Sequence, residues 1–101
     1  MRIEVLAEED ISPQARTYAE YRVFAALSQF VGTDQVRDAS VVLGAAHGRY
    51  GDEGIACTVT VNLDPGGVRR IRTIGDHAYA AINRAVDCLR ESDRVVTHGR
   101  G

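Results

Sequence analysis

The sequence predicts an α+β domain built in the order β-α-β-β-β-α, a four-stranded mixed sheet with two helices packed on one face. Three observations predict it: apolar residues recur at helical spacing in two stretches, four shorter stretches alternate apolar and polar, and turn residues separate them. Residues 2–7 open with Ile3 and Val5 on one side and Arg2 and Glu4 on the other, a half-buried strand that the acidic Glu8-Glu9-Asp10 ends. Ser12-Pro13 then starts a helix, with Ser as N-cap and Pro at the first helical position, where its missing N–H costs nothing. Ala15, Ala19, Val23, Ala26 and Phe30 carry that helix to about residue 30, and Gly32 stops it.

A second strand is expected over residues 36–44, with Ala39, Val41 and Leu43 pointing one way. Gly44 to Gly54, with Gly48, Gly51, Asp52 and Glu53, reads as a mobile loop. The third strand has the clearest pattern: Ile55, Cys57, Val59, Val61 and Leu63 alternate with Ala56, Thr58, Thr60 and Asn62. Asp64-Pro65-Gly66-Gly67 forms a tight turn, because Pro presets φ and glycine accepts positive φ, and it leads into a fourth strand from Val68 to Ile74. Gly75-Asp76 opens the last helix with Asp as N-cap, and Tyr79, Ile82, Val86 and Leu89 form its core stripe. Asp93 falls on that same stripe, so the buried part is expected to end before it. The domain is therefore placed at residues 1–94, with 95–101 a loosely held tail.

A β-α-β opening demands a right-handed crossover between parallel strands, and the later strands add as antiparallel hairpins in the order 1-2-3-4. Every strand alternates, so the face away from the helices is expected to be open. At 101 residues the chain holds one core, which excludes a two-lobed enzyme with an interdomain cleft. Its apolar stretches are far shorter than the roughly 20 residues that cross a bilayer, and the start lacks a signal peptide's apolar region. A soluble cytoplasmic protein is expected. Cys57 and Cys88 are too few for a disulfide framework and read as reduced, buried or half-buried side chains.

The net charge of −2 conceals an uneven division. Residues 1–53 hold nine acids against five arginines, and residues 54–101 hold five against seven. All twelve cations are Arg, the side chain suited to bidentate phosphate contacts and base stacking; codon preference explains the same bias equally well.

Two strings resemble a known family. Gly75-Asp76-His77-Ala78-Tyr79-Ala80-Ala81-Ile82-Asn83-Arg84-Ala85-Val86-Asp87-Cys88-Leu89 looks like the start of the second helix in the ribosome hibernation promoting factors, also called sigma-54 modulation or ribosome-associated inhibitor proteins. In the first helix, Ser12, Ala15-Arg16, Tyr18-Ala19, Arg22 and Leu27 resemble that family's cap, Leu-Arg, aromatic, basic and Leu positions. The likeness spans about residues 1–94, and Tyr79-Ala80-Ala81-Ile82 is its most specific piece. It implies a short-form protein that occupies the decoding region of the small subunit in stationary phase or stress, blocks messenger and transfer RNA, and silences translation.

The residues themselves define three candidate RNA-binding groups. Arg70 and Arg72 on the fourth strand project from the open face beside Thr58 and Thr60 if Ile71 faces the helices, giving either a phosphate grip or a solvated sheet face. Arg84, Arg90 and Arg94 lie on the polar side of the last helix, where Arg84/Asp87 and Glu91/Arg94 are spaced to pair with one another. Arg16 and Arg22 of the first helix match family positions beside Glu20.

A rival reading comes from the aromatics. Tyr18, Tyr21 and Phe24 lie roughly opposite the core stripe of the first helix, so they meet the second helix, a partner chain or water, and a homodimer or protein-binding module is the alternative. Catalysis has no comparable support. His47, His77 and His98 lack ligand spacing, Gly44 to Gly54 is not a phosphate loop, and no nucleophile and base can be assembled from neighbours. The expectation is a protein that is not an enzyme, without metal, cofactor or small-molecule substrate.

Overall fold

The computed structural model describes residues 1–29, 36–47, 53–64 and 66–99, and the side chains of residues 1–29, 36–46, 54–64 and 66–91 among them. The elements are β1 (Arg2–Ala7), α1 (Pro13–Ser28), β2 (Val36–His47), β3 (Glu53–Leu63), β4 (Gly67–Gly75) and α2 (Ala78–Gly99). They form one four-stranded sheet in the order β1-β2-β3-β4. β1 runs parallel to β2, from Arg2 opposite Asp38 to Ala7 opposite Leu43, while β2–β3 and β3–β4 are antiparallel. The fold class, element order and mixed sheet expected from the sequence are all present.

Alternation explains which face each strand buries. Val41, Leu43, Cys57, Val59 and Val61 turn towards the helices and are sealed, with Ile3, Val5, Ile55 and Ile71 partly buried around them. A bulge between Val36 and Asp38 leaves Arg37 unmatched on β3, so the alternation slips by one and Val36 joins Ala39 in the core. α1 contributes Ala15, Ala19, Val23, Ala26 and Leu27, and its three small alanines let it lie close to the sheet. α2 contributes Ala81, Ile82, Ala85, Val86 and Leu89. Full burial of a side chain such as Leu27, Leu43, Ile82 or Leu89 contributes about 1.5–3 kcal/mol by its removal from water.

The start of α1 is as expected: Ser12 is extended at φ −66° and ψ 150°, and its hydroxyl accepts the Ala15 N–H at 3.1 Å. The helix ends at Ser28 with Gln29 as C-cap, and the expected Phe30 core position and Gly32 stop lie outside the described residues.

The structure corrects four expectations. The β2–β3 hairpin extends into the stretch read as loop, because Ala45 pairs with Ile55, Ala46 with Gly54 and His47 with Glu53. Small side chains there leave the ladder intact, and Glu8 takes over where β1 stops: its N–H donates to Leu43 O at 3.1 Å and its carboxylate accepts the Ala45 N–H at 3.1 Å. The cap of α2 is His77 and not Asp76. His77 Nδ1 accepts the Ala80 N–H at 3.2 Å and His77 O accepts the Ala81 N–H at 3.1 Å, so the first turn begins one residue later. Tyr79 is 39% exposed, at the margin of the core stripe assigned to it. Cys88 is exposed, whereas Cys57 is buried, and burial pushes the Cys57 thiol up to about 11.

α2 continues to Gly99, past the residue where the domain was expected to end, with Leu89 its last described buried side chain. How firmly the tail 95–101 is held lies outside the described side chains.

The turn into β4 uses Gly66 at φ 133° and Gly67 at φ 80°, a region that side chains rarely tolerate. At the other end of β4, a Cβ on Gly75 would stand 2.5 Å from Ala81 N and 2.8 Å from Ala80 Cβ, so only glycine lets the strand touch the first turn of α2.

Candidate nucleic-acid interface

The face away from the helices is built from the alternate residues of the same strands. Pairing fixes its rows: Asp38–Asn62–Val68, Ser40–Thr60–Arg70 and Val42–Thr58–Arg72 run from β2 to β4, with Arg2, Glu4 and Leu6 of β1 at their left ends. Arg70 and Arg72 are exposed on this face, opposite Thr60 and Thr58, in the arrangement the sequence suggested. Arg70 Nε donates to Thr60 Oγ1 at 3.4 Å, which steadies the guanidinium without neutralising it.

Charge is graded across the face. Glu4 and Asp38 stand on β1 and β2, and Asp38 accepts a hydrogen bond from the Asn62 side-chain amide. Three strand spacings, about 14 Å, separate Glu4 from Arg70, more than a Debye length at physiological salt. Among the described residues no carboxylate pairs with Arg70 or Arg72. The β4 side is therefore locally cationic on a molecule whose net charge is −2.

The other candidate arginines separate into distinct environments. Arg84 Nη1 donates to Ile74 O at 2.6 Å, which places it at the β4 edge beside the two strand arginines. Among the described residues it does not pair with Asp87, although the spacing suggested that it would. Arg90 is exposed on α2, and the Arg94 side chain, with its expected pairing to Glu91, lies outside the described residues. Arg16 is exposed on the far side of the molecule, in a groove of about 300 Å³ with Val5, Pro13, Thr17 and Glu20.

Arg22 is half-buried and belongs to a polar junction between the helices. Asn83 Oδ1 accepts from the Tyr18 hydroxyl at 2.8 Å and from Arg22 Nε at 3.3 Å, and the Arg22 guanidinium carbon lies 5.9 Å from the centre of the Tyr18 ring. Tyr79 meets Tyr18 edge-on at 5.1 Å and His77 at 6.3 Å. Tyr18, grouped with Tyr21 and Phe24 as a partner surface, is thus occupied by α2, while Tyr21 and Phe24 are 70% and 50% exposed. Asn83, Tyr79 and His77 were missed as members of this junction because their partners are about 60 residues distant or depend on where the helix starts.

Among the described residues, no group of three or more His, Cys, Asp or Glu side chains could hold a metal ion, and no helix is long and apolar enough to cross a membrane.

No protein-family model matches the sequence, and no curated protein matches it. Solved structures do. The chain is similar to a ribosomal subunit interface protein from Coxiella burnetii, with a TM-score of 0.72 at 17% identity over 97% of this chain and 99% of that one. It is also similar to the N-terminal domain of Protein Y from Thermus thermophilus, with a TM-score of 0.68 at 29% identity over 92% of this chain and 96% of that one. Both neighbours are of the hibernation-promoting-factor type, so the resemblance read from the two helices extends to the whole fold.

Proposed function

We propose that this protein is a ribosome-associated cytoplasmic factor that binds small-subunit rRNA and inhibits translation in stress or stationary phase. The reading is carried by Arg70 and Arg72, exposed on the sheet face away from the helices, without carboxylate partners among the described residues, and backed by Thr60 and Thr58. Guanidinium groups grip phosphate bidentately, and threonine hydroxyls bond phosphate oxygens or 2′-hydroxyls. On α2, Arg84 at the β4 edge and the exposed Arg90 are further cations for this contact, with Arg94 added by its place in the sequence. Arg16 and Arg22 enter by the family resemblance alone, since Arg16 lies away from this sheet face and Arg22 is held by Asn83 between the helices. The likeness to a subunit interface protein and to Protein Y supports the ribosome as the target. The action is steric: the domain lies against rRNA and competes with messenger and transfer RNA, without breaking bonds.

Pelleting with purified small subunits across a salt series tests the reading. Binding is expected to weaken steeply as salt rises, because each neutralised phosphate releases counterions. Arg70→Glu with Arg72→Glu is expected to abolish binding at physiological salt and to lower the salt slope by about two, roughly one per lost phosphate contact. Absence of binding at low salt overturns the RNA role. Unchanged affinity of the double variant moves the contact surface to the helices.

A further inference from the structure

The two edges of the sheet differ in a way that the RNA reading leaves unused. β4 carries Arg70 and Arg72, so two β4 edges brought together would oppose like charges. β1 is the other edge, and its outer backbone groups have no strand partner among the described residues. Its open-face side chains read Arg2, Glu4 and Leu6, with Leu6 52% exposed. On the helix side of the same edge, Tyr21 and Phe24 stand with Met1 and Ile3 around a groove of about 390 Å³. A free strand edge and an apolar groove thus lie next to each other.

We propose that two copies of this chain pair β1 to β1, antiparallel about a twofold axis at Ile3, to form one continuous sheet with all four helices on the same face. Charge selects the register. Opposed residues in an antiparallel pair share a face, so keeping the helices together restricts the axis to a residue position. About Glu4, the two Glu4 carboxylates oppose each other and repel. About Val5, Arg2 meets Glu8, whose carboxylate already accepts the Ala45 N–H, and Glu4 meets Leu6. About Ile3, Arg2 of each copy meets Glu4 of the other, two complementary pairs from exposed side chains that have no side-chain partner among the described residues.

The helices fit this register. α1 packs on both β1 and β2, so its axis lies about half a strand spacing inside β1. Pairing β1 strands about 4.8 Å apart brings the two α1 axes to about 10 Å, the separation of packed helices. Tyr21 and Phe24 of both copies then close over Ile3 at the axis, and the Arg70/Arg72 surface of each copy stays open at the far edge.

The mass of the intact chain in solution, measured by sedimentation equilibrium over a concentration series without ribosomes, tests the pairing. A mass twice the 11.0 kDa chain is expected. Arg2→Glu is expected to weaken the dimer about tenfold or more, and Arg2→Glu with Glu4→Arg to restore it. Tyr21→Ser with Phe24→Ser is expected to give a monomer with an unchanged circular dichroism spectrum. A monomer at every concentration overturns the proposal. So does a dimer that ignores Arg2→Glu, or one that the charge exchange fails to rescue. Because ribosomes are absent, failure here leaves the RNA reading standing, and failure of ribosome binding leaves the dimer standing.

Discussion

On the covered face, Val41, Leu43, Cys57, Val59 and Val61 are sealed beneath the two helices, whereas Val42, Thr58, Thr60, Arg70 and Arg72 of the same strands meet solvent. Neighbouring residues of one strand thus answer to different demands. The covered set must fill space, and its apolar surface drives the helices onto the sheet. The open set fills nothing, so its chemistry is free to serve a partner, and a cationic strip can exist there on a chain with an acidic total. Fold and charge are divided between the two sides of one sheet.

The division is broken most severely from the covered side. Ile82→Ala, a truncation at a fully buried position, is expected to lower stability by about 2–5 kcal/mol in chemical denaturation, against no more than about 0.5 kcal/mol for Arg70→Ala on the open side. Equal losses would mean that the open face also holds the fold together.

The second test uses the buried thiol. Burial raises Cys57 from 9.0 to about 11, so the folded state keeps a proton that the unfolded chain releases above pH 9. Stability from the neutral thiol is fully present below pH 9 and is lost as pH rises towards 11, by about 2–3 kcal/mol. Melting curves across that window are expected to fall more steeply for the native sequence than for Cys57→Ala, and parallel curves would contradict the buried thiol's role.

The smallest effect compares one substitution on each side. Thr73 Oγ1, half-buried towards the helices, donates to Ala81 O at 2.7 Å, while Thr60 accepts the long contact from Arg70 at 3.4 Å. Thr73→Val is expected to cost about 1 kcal/mol and Thr60→Val less than about 0.5 kcal/mol. Thr60→Val sharpens the comparison further if it reduces ribosome affinity while leaving the melting temperature in place.

The strands were legible in the sequence because burial on one side writes a period of two, plainest from Ile55 to Leu63. The arms of the β2–β3 hairpin were hidden because Gly44, Ala45, Ala46 and Gly54 pair through backbone and carry no apolar alternation. The placement of Arg70 and Arg72 followed from Ile71 facing inward, a local inference. Arg22 and Arg84 could not be placed that way: one is held by Asn83 across the helix interface and the other by a strand carbonyl, partners that only packing brings near. His77 was overlooked as a cap because Asp76 offered the more familiar acceptor.

Gly75 joins the two sides. With no side chain there, the end of β4 rests directly on the opening turn of α2, and Arg84 returns from that helix to the carbonyl of Ile74. Strand and helix thereby meet like two parts of one bracket, which sets where the backbones carrying Arg72 and Arg84 stand relative to each other. An added methyl group at position 75 would prise the bracket open and shift those cations without altering a single charge.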